Sequence, residues 1–213
     1  SVTDAVDLAR NLGISHETLP IKEIYDNFIA TLHPVFKDAP FNVAEENLQA
    51  RIRGSLVMAI SNKFGHILLN TSNKSEAAVG YGTLYGDLCG SLSVLGDVYK
   101  TDVYKLSRYV NRNGELIPEN TITKAPSAEL RPGQKDQDSL PDYDTLDAIL
   151  KLYLEENSSK QEIIAKGFAP EIVDKTITLV NRNDYKRAQC PPILKVSKKA
   201  FVSGRRMPLV AKL

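Results

Sequence analysis

An α/β fold, with short parallel strands covered by helices, is predicted by three features of this chain. Apolar residues recur at helical spacing in several separate stretches, one of these helices feeds directly into a short apolar run, and a glycine-rich loop follows that run. The 213 residues, 42% hydrophobic and 25% charged, suffice for one domain with an ordinary core.

Taken in order, Val2, Ala5, Val6, Ala9 and Leu12 trace a first helix, which Ser1 can cap with Asp4 three positions on and Gly13 can stop. Glu17 to Ile21 reads as a strand, and Ile24, Phe28 and Leu32 as a second helix ending before Pro34. Leu48, Ile52, Leu56, Ile60 and Phe64 step by four along a long helix closed by Gly65, after which Ile67 to Leu69 reads as a buried strand. Val103, Leu106 and Val110 give another helix, and Thr123 to Pro141 a polar, proline-containing connection without periodicity. From about residue 142 the chain is mostly helical: Leu146, Ile149, Leu150 and Tyr153, then Gln161 to Lys166, then Pro170 to Arg182 with proline in the first turn. The segment from Cys190 onward is basic and expected to be extended. Too few strands are present to complete a sheet, and a domain of this type normally opens with a strand whose following loop binds the ligand, so truncation at the front is the expectation.

Charge and cysteine usage narrow the function. The formal net charge is +1 with no long run of one sign, which argues against general affinity for nucleic acid or anionic membrane and leaves anion binding to local groups. Cys89 and Cys190 cannot build a disulfide framework and show no zinc-type spacing with the three histidines, so a reducing cytoplasm fits best. No apolar stretch has the length to cross a bilayer, and residues 1–11 are amphipathic without a signal-peptide core.

Five stretches can carry chemistry. In Asn47 to Gly54, NLQARIRG, Asn47, Arg51 and Gly54 share a helix face on which the arginine could grip a carboxylate or phosphate; a solvated polar face explains the same spacing. Thr71 to Asp87, TSNKSEAAVGYGTLYGD, follows the apolar run at the end where α/β proteins bind ligands. There Thr71 offers a hydroxyl, Glu76 a hard oxygen for Mg2+, and Gly80, Gly82 and Gly86 let backbone pass close to a bound molecule; a helix cap at Ser72 to Glu76 with ordinary turns is the alternative. Lys100 and Thr101 begin a helix whose free amides favour anions, although Lys100 can equally be an exposed lysine. Lys124 to Leu150 holds Ser127, Arg131 and Lys135 in a polar loop that could close over a nucleotide or serve as a linker. Lys186, Arg187, Lys198, Lys199, Arg205 and Arg206 make the terminus basic, so that it attracts polyphosphate or is simply solvated.

Together and in this order, these stretches resemble the NAD+ synthetase family from Ser1 to Leu213, and TSNKSEAAVGYGTLYGD with KAPSAEL, QKDQDSLP and YKRAQCPP is most similar to its glutamine-dependent branch. Leu84 stands where ammonia-only relatives carry lysine, and Ser91 where they carry aspartate. The resemblance implies an adenine-nucleotide α-hydrolase-like, Rossmann-like parallel sheet flanked by helices and N-terminally truncated. It implies ATP-dependent amidation of deamido-NAD+ through an adenylated intermediate, with ATP and Mg2+ required and ammonia released from glutamine by a nitrilase-like amidase domain. It also implies a homo-oligomer, a dimer or higher, in agreement with the long amphipathic helix from Val43 to Phe64.

Position by position, the resemblance gives Thr71, Lys100 and Ser127 to ATP, with Lys100 at its phosphates. Glu76 is carried over as magnesium ligand and substrate-side acid. Asn47, Arg51, the turn Tyr81, Gly82, Thr83 and Leu84, and Lys186 hold deamido-NAD+, and Asp87 lies at the reacting end. No Ser-Gly-Gly-x-Asp-Ser loop, which in the family wraps the pyrophosphate, occurs in the 213 residues, and no amidase triad surrounds Cys89 or Cys190, which read as structural. A polypeptide inactive by itself is the expectation. Another ATP-pyrophosphatase ligase, GMP synthetase-like or RNA-thiolating, and a binding or dimerisation module without activity are the competing readings.

Overall fold

The structure, a computed structural model, describes residues 2–202 and 204–208; the expected cap at Ser1 lies outside them. Helix α1 spans Val2–Leu12, α2 Lys22–Phe36 and α3 Val43–Phe64. The α3 boundaries follow from local chemistry: the Asn42 side chain accepts the Ala44 N–H, Glu45 reaches back to the Asn42 N–H, and Gly65 closes the helix at φ 69°. Residues 14–21 are irregular, so the strand expected there does not form. Among the described residues that segment has no strand partner to complete a ladder. Helix α2 runs through Pro34 to Phe36. Only two residues remain beyond the proline, and the helix buries no residue fully, so the unbonded carbonyl one turn back can turn to water.

Strand β1, Leu69–Asn70, pairs in parallel with β2, Leu92–Ser93, in register Leu69 to Leu92 and Asn70 to Ser93. The parallel geometry is as expected, but the apolar run is not buried: Ile67 is 71% and Leu69 51% exposed, while Asn70 is 4% exposed. Between the strands lie α4, Lys74–Val79, and the glycine-rich loop; beyond β2 follow α5, Lys100–Val110, and α6, Glu119–Thr123.

Helix α7, Tyr143–Leu150, is the hub of the core. It continues into a wider π-type turn over 151–155 and is followed by α8, Lys160–Ala165, α9, Pro170–Arg182, and α10, Asp184–Arg187. Leu146 and Leu150 pack with Val79, Tyr99, Leu154, Val180 and Phe201, whereas Ile149, on another face, packs with Ile163 and Val173. The basic terminal segment, expected to be extended, bends over residues 197–199 and turns at 202 and 204, and it is not merely solvated: Ala200 and Phe201 are buried, Phe201 in the first of these clusters. Arg187 is likewise buried, donating to the carbonyls of Ala77, Ala78 and Val180 and to Asp184. A buried guanidinium whose two terminal nitrogens are committed to carbonyls and Asp184 is not available to polyphosphate.

A candidate nucleotide cleft at the carboxyl end of the strands

A cleft of about 420 Å³ opens beyond the carboxyl end of β1, between α3, the glycine-rich loop and the 127–136 segment. Six of the expected site residues line it: Thr71, Glu76, Tyr81, Asp87, Lys100 and Ser127. They come from segments far apart in sequence, and β1, α4 and α5 bring them together.

The charged centre is the pair Glu76 and Lys100, with Nζ 3.3 Å from Oε1 and side chains 19% and 20% exposed. Helix α4 begins with a capping box in which Asn73 accepts the Glu76 N–H and Glu76 Oε2 accepts the Asn73 N–H at 3.2 Å. The helix-cap alternative and the site reading of Glu76 therefore meet in one side chain, whose second oxygen faces Lys100. Burial pushes the Glu76 carboxyl above its ordinary range, against the pull of Lys100. Lys100 Nζ also lies 5.4 Å from the Tyr143 ring centre and 5.8 Å from that of Tyr104. The expectation of free helix amides at Lys100 is corrected: its N–H donates to Ser75 Oγ at 2.9 Å, and the Thr101 N–H donates to Asp147 Oδ2 at 2.9 Å. An anion there meets the lysine side chain rather than the helix end.

The other six expected residues form a shelf beside the cleft. Thr83 Oγ1 donates to Asn47 Oδ1 at 2.7 Å, the Thr83 N–H to Asp87 Oδ1 at 2.7 Å, and Arg51 Nε to the Leu84 carbonyl at 3.3 Å. Lys186 Nζ donates to the carbonyls of Gly80 at 2.7 Å and Gly82 at 2.8 Å. Burial lowers the Lys186 ammonium's pKa, and the nearby Asp87 opposes that. The glycines also serve the protein's own packing. A Cβ on Gly82 would stand 2.8 Å from Leu88 Cδ2, and one on Gly86 2.9 Å from the Ala50 backbone carbon.

Two contributors had no sequence signal of their own. Asn70, at the end of β1, donates from Nδ2 to the Asp87 carbonyl at 2.7 Å and the Cys89 carbonyl at 3.1 Å, and its Oδ1 accepts the Ser72 N–H. It ties the floor of the cleft to the loop that carries Asp87. Asp136 lines the wall and accepts the Tyr143 hydroxyl at 2.7 Å; only its place in an acid-rich loop hinted at it. Burial, followed by Asp136, raises the Tyr81 phenol's pKa.

A cleft outside the carboxyl end of parallel strands, with a lysine–glutamate pair at its centre, lies where α/β proteins place their ligand sites. Residues 1–190 match the family model described as NAD synthase, and the chain belongs to that family. It is 55% identical over 209 residues to a glutamine-dependent NAD(+) synthetase of Synechocystis, covering 98% of this chain and 38% of that protein. With the corresponding protein of Acinetobacter baylyi the identity is also 55%, over 99% of this chain and 39% of the relative. The chain thus spans well under half the length of these relatives. Among solved structures, a glutamine-dependent NAD+ synthetase of Acinetobacter baumannii in complex with ADP matches 98% of this chain and 38% of its own at 46% identity and a TM-score of 0.57. One from Cytophaga hutchinsonii, at 23% identity, shares the fold with a TM-score of 0.81 over 99% of this chain and 36% of its own. A likeness of 28% identity links the chain to an NH3-dependent enzyme of Campylobacter jejuni, with a TM-score of 0.67 over 91% of this chain and 71% of its own.

Proposed function

We propose that this chain provides the amide-forming part of a cytoplasmic, glutamine-dependent NAD+ synthetase, converting deamido-NAD+ to NAD+ at the expense of ATP. The observation that carries the reading is the Glu76–Lys100 pair at 3.3 Å in the cleft, with Asp87 lining the same space. A nicotinate carboxylate oxygen attacks the α-phosphorus of ATP and pyrophosphate leaves. Ammonia then attacks the carbonyl carbon of the mixed anhydride, AMP departs with the bonding pair, and the nitrogen gives up a proton. Both steps gather negative charge, which Lys100 neutralises at the phosphates. Thr71 and Ser127 contact ATP; Asn47, Arg51, Tyr81, Gly82, Thr83, Leu84 and Lys186 hold the dinucleotide, and Asp87 lies at its reacting end.

Among the described residues no three His, Cys, Asp or Glu side chains gather as a metal cage. Glu76, Asp87 and Asp136 do line the cleft, and Mg2+ is commonly held by one or two carboxylates together with phosphate oxygens. The residues therefore fit a nucleotide-borne Mg2+, which would supply further neutralisation of the phosphates. Residues 1–213 act as one unit that works as a homo-oligomer and receives ammonia from an amidase. Elution as a strict monomer in light scattering would remove the oligomer from the proposal.

The test uses the complete gene product with ATP, Mg2+, deamido-NAD+ and ammonium. NAD+, AMP and pyrophosphate form in equal amounts, and Lys100→Ala lowers kcat/KM by about 100-fold or more. Turnover of xanthosine monophosphate or tRNA instead of deamido-NAD+ would overturn the substrate assignment, and an unchanged rate in Glu76→Ala would overturn the metal assignment.

A further inference from the structure

Asp147 sits in the middle of α7 with 1% exposure, among the apolar residues Leu146, Ile149 and Leu150. A carboxylate in such surroundings is strongly disfavoured unless its oxygens are bonded. Its oxygens go to two different elements. Oδ1 accepts the hydroxyl of Ser75 on α4, and Oδ2 accepts the Thr101 N–H of α5 at 2.9 Å. Ser75 Oγ in turn accepts the Lys100 N–H at 2.9 Å, so the first two amides of α5 are held by one relay. Tyr99, which precedes α5, makes no capping bond of its own, and Asp147 and Ser75 do from another helix what a local cap would do. A negative group at that end also suits the helix dipole.

The relay touches the site through its neighbours. Ser75 is followed by Glu76, and the amide it holds belongs to Lys100; α4 and α5 are thereby joined at the two residues whose side chains meet at 3.3 Å. We propose that Asp147 is a positioning residue: acting through Ser75, it sets the distance between the Glu76 carboxylate and the Lys100 ammonium. This rests on the reading of that pair as the group that handles ATP and its Mg2+. Asp147 does not line the cleft and touches no reacting atom.

The complete gene product is assayed as Asp147→Asn and as Ser75→Ala for NAD+ formation from ATP, deamido-NAD+ and ammonium. The expected result is a kcat lower by about 10- to 100-fold, the scale of a small misplacement of catalytic groups, with KM for deamido-NAD+ changed by less than about twofold. In a Lys100→Ala background neither change lowers kcat further, because the group they position is gone. A further loss of equal size in that background would reduce Asp147 to general support of the fold and overturn the proposal. Amide hydrogen exchange without substrate gives a second reading: Lys100 and Thr101 exchange at least about tenfold faster in both variants, while α9 keeps its protection. Unchanged exchange at those two amides would overturn the proposal as well. If Asp147→Asn does not fold, Ser75→Ala, which removes only a hydroxyl, decides. A wild-type protein that makes no NAD+ defeats the proposed function alone, and the exchange measurement still decides whether Asp147 and Ser75 hold the start of α5.

Discussion

Lys74 is wholly buried, and its ammonium is surrounded by oxygens from across the chain: Asp97 and Glu155 at 2.9 Å, Ser197 Oγ at 2.7 Å and the Lys199 carbonyl at 3.0 Å. The Tyr99 ring lies 4.7 Å below it. Such a charge is stable only in company, and removing one partner strands the other. Lys74→Met is expected to destabilise the protein by about 3–5 kcal/mol, since it leaves Asp97 buried without its cation; urea unfolding measures this, and a loss below about 1 kcal/mol would show that the cluster contributes little. Asp97 carries the matching pH signature. Burial alone would raise its carboxyl, but the Ser197 N–H, Lys74, the Ser197 hydroxyl and the Val196 N–H outweigh it and hold the carboxyl below the ordinary aspartate range. Since the folded value lies below the unfolded one, the stabilisation is complete above the unfolded pKa and is lost as pH falls through the folded pKa. Asp97→Asn is expected to flatten the fall of stability below about pH 4, read as the midpoint of urea unfolding at successive pH values.

At the scale of elements, the cleft depends on how closely α3 approaches the glycine-rich loop. A Cβ on Gly54 would lie 2.9 Å from the Tyr85 carbonyl and 3.1 Å from the Gly86 carbonyl, and backbone atoms on both sides cannot move aside independently. Gly54→Ala is expected to cost about 1–3 kcal/mol and to push the Asp87 loop away from α3; thermal unfolding together with nucleotide titration checks both effects. The ends of α3 follow simpler rules. Asn42→Ala removes the N-cap acceptor and is expected to cost about 1 kcal/mol without altering ligand affinity, because the cap lies outside the cleft. These caps were readable in advance at Gly65 and around Glu76, since a cap needs only residues three or four apart. The end of α2 was not readable, because the two further residues past Pro34 depend on its exposed setting and not on proline's preference.

The whole molecule is closed by its basic terminal segment, which brings Phe201 to 3% exposure against α7 and α9 and sets the Arg187 guanidinium 4.8 Å from its ring centre. Phe201→Ala is expected to cost about 3–5 kcal/mol, the range for emptying a buried aromatic site. A protease-sensitivity assay would then find cleavage beyond Cys190 at concentrations the parent withstands, and equal resistance would count against a closing role for this segment. From sequence this stretch read as extended and solvated, because its charges are dense and the aromatic ring that anchors it is a single residue.

What the amino-acid sequence determined by itself is what depends on near neighbours. The spans of α3, α5 and α9 and the parallel α/β class follow from periodicity and caps within a few residues, and the candidate residues Glu76, Lys100 and Asp87 from motif wording and the resemblance it carries. The tertiary structure decided the rest: that Lys74, Asp97 and Asp147 are interior charges, that Arg187 serves carbonyls, that the glycines admit neighbouring backbone and side chains, and that Ile67 and Leu69 face outward. The physical reason is that the free energy of burying a polar or charged group or leaving an apolar side chain exposed is set by partners from 17 to more than 100 positions away, such as Asp87 for Asn70 and Lys199 for Lys74. No local pattern records those partners.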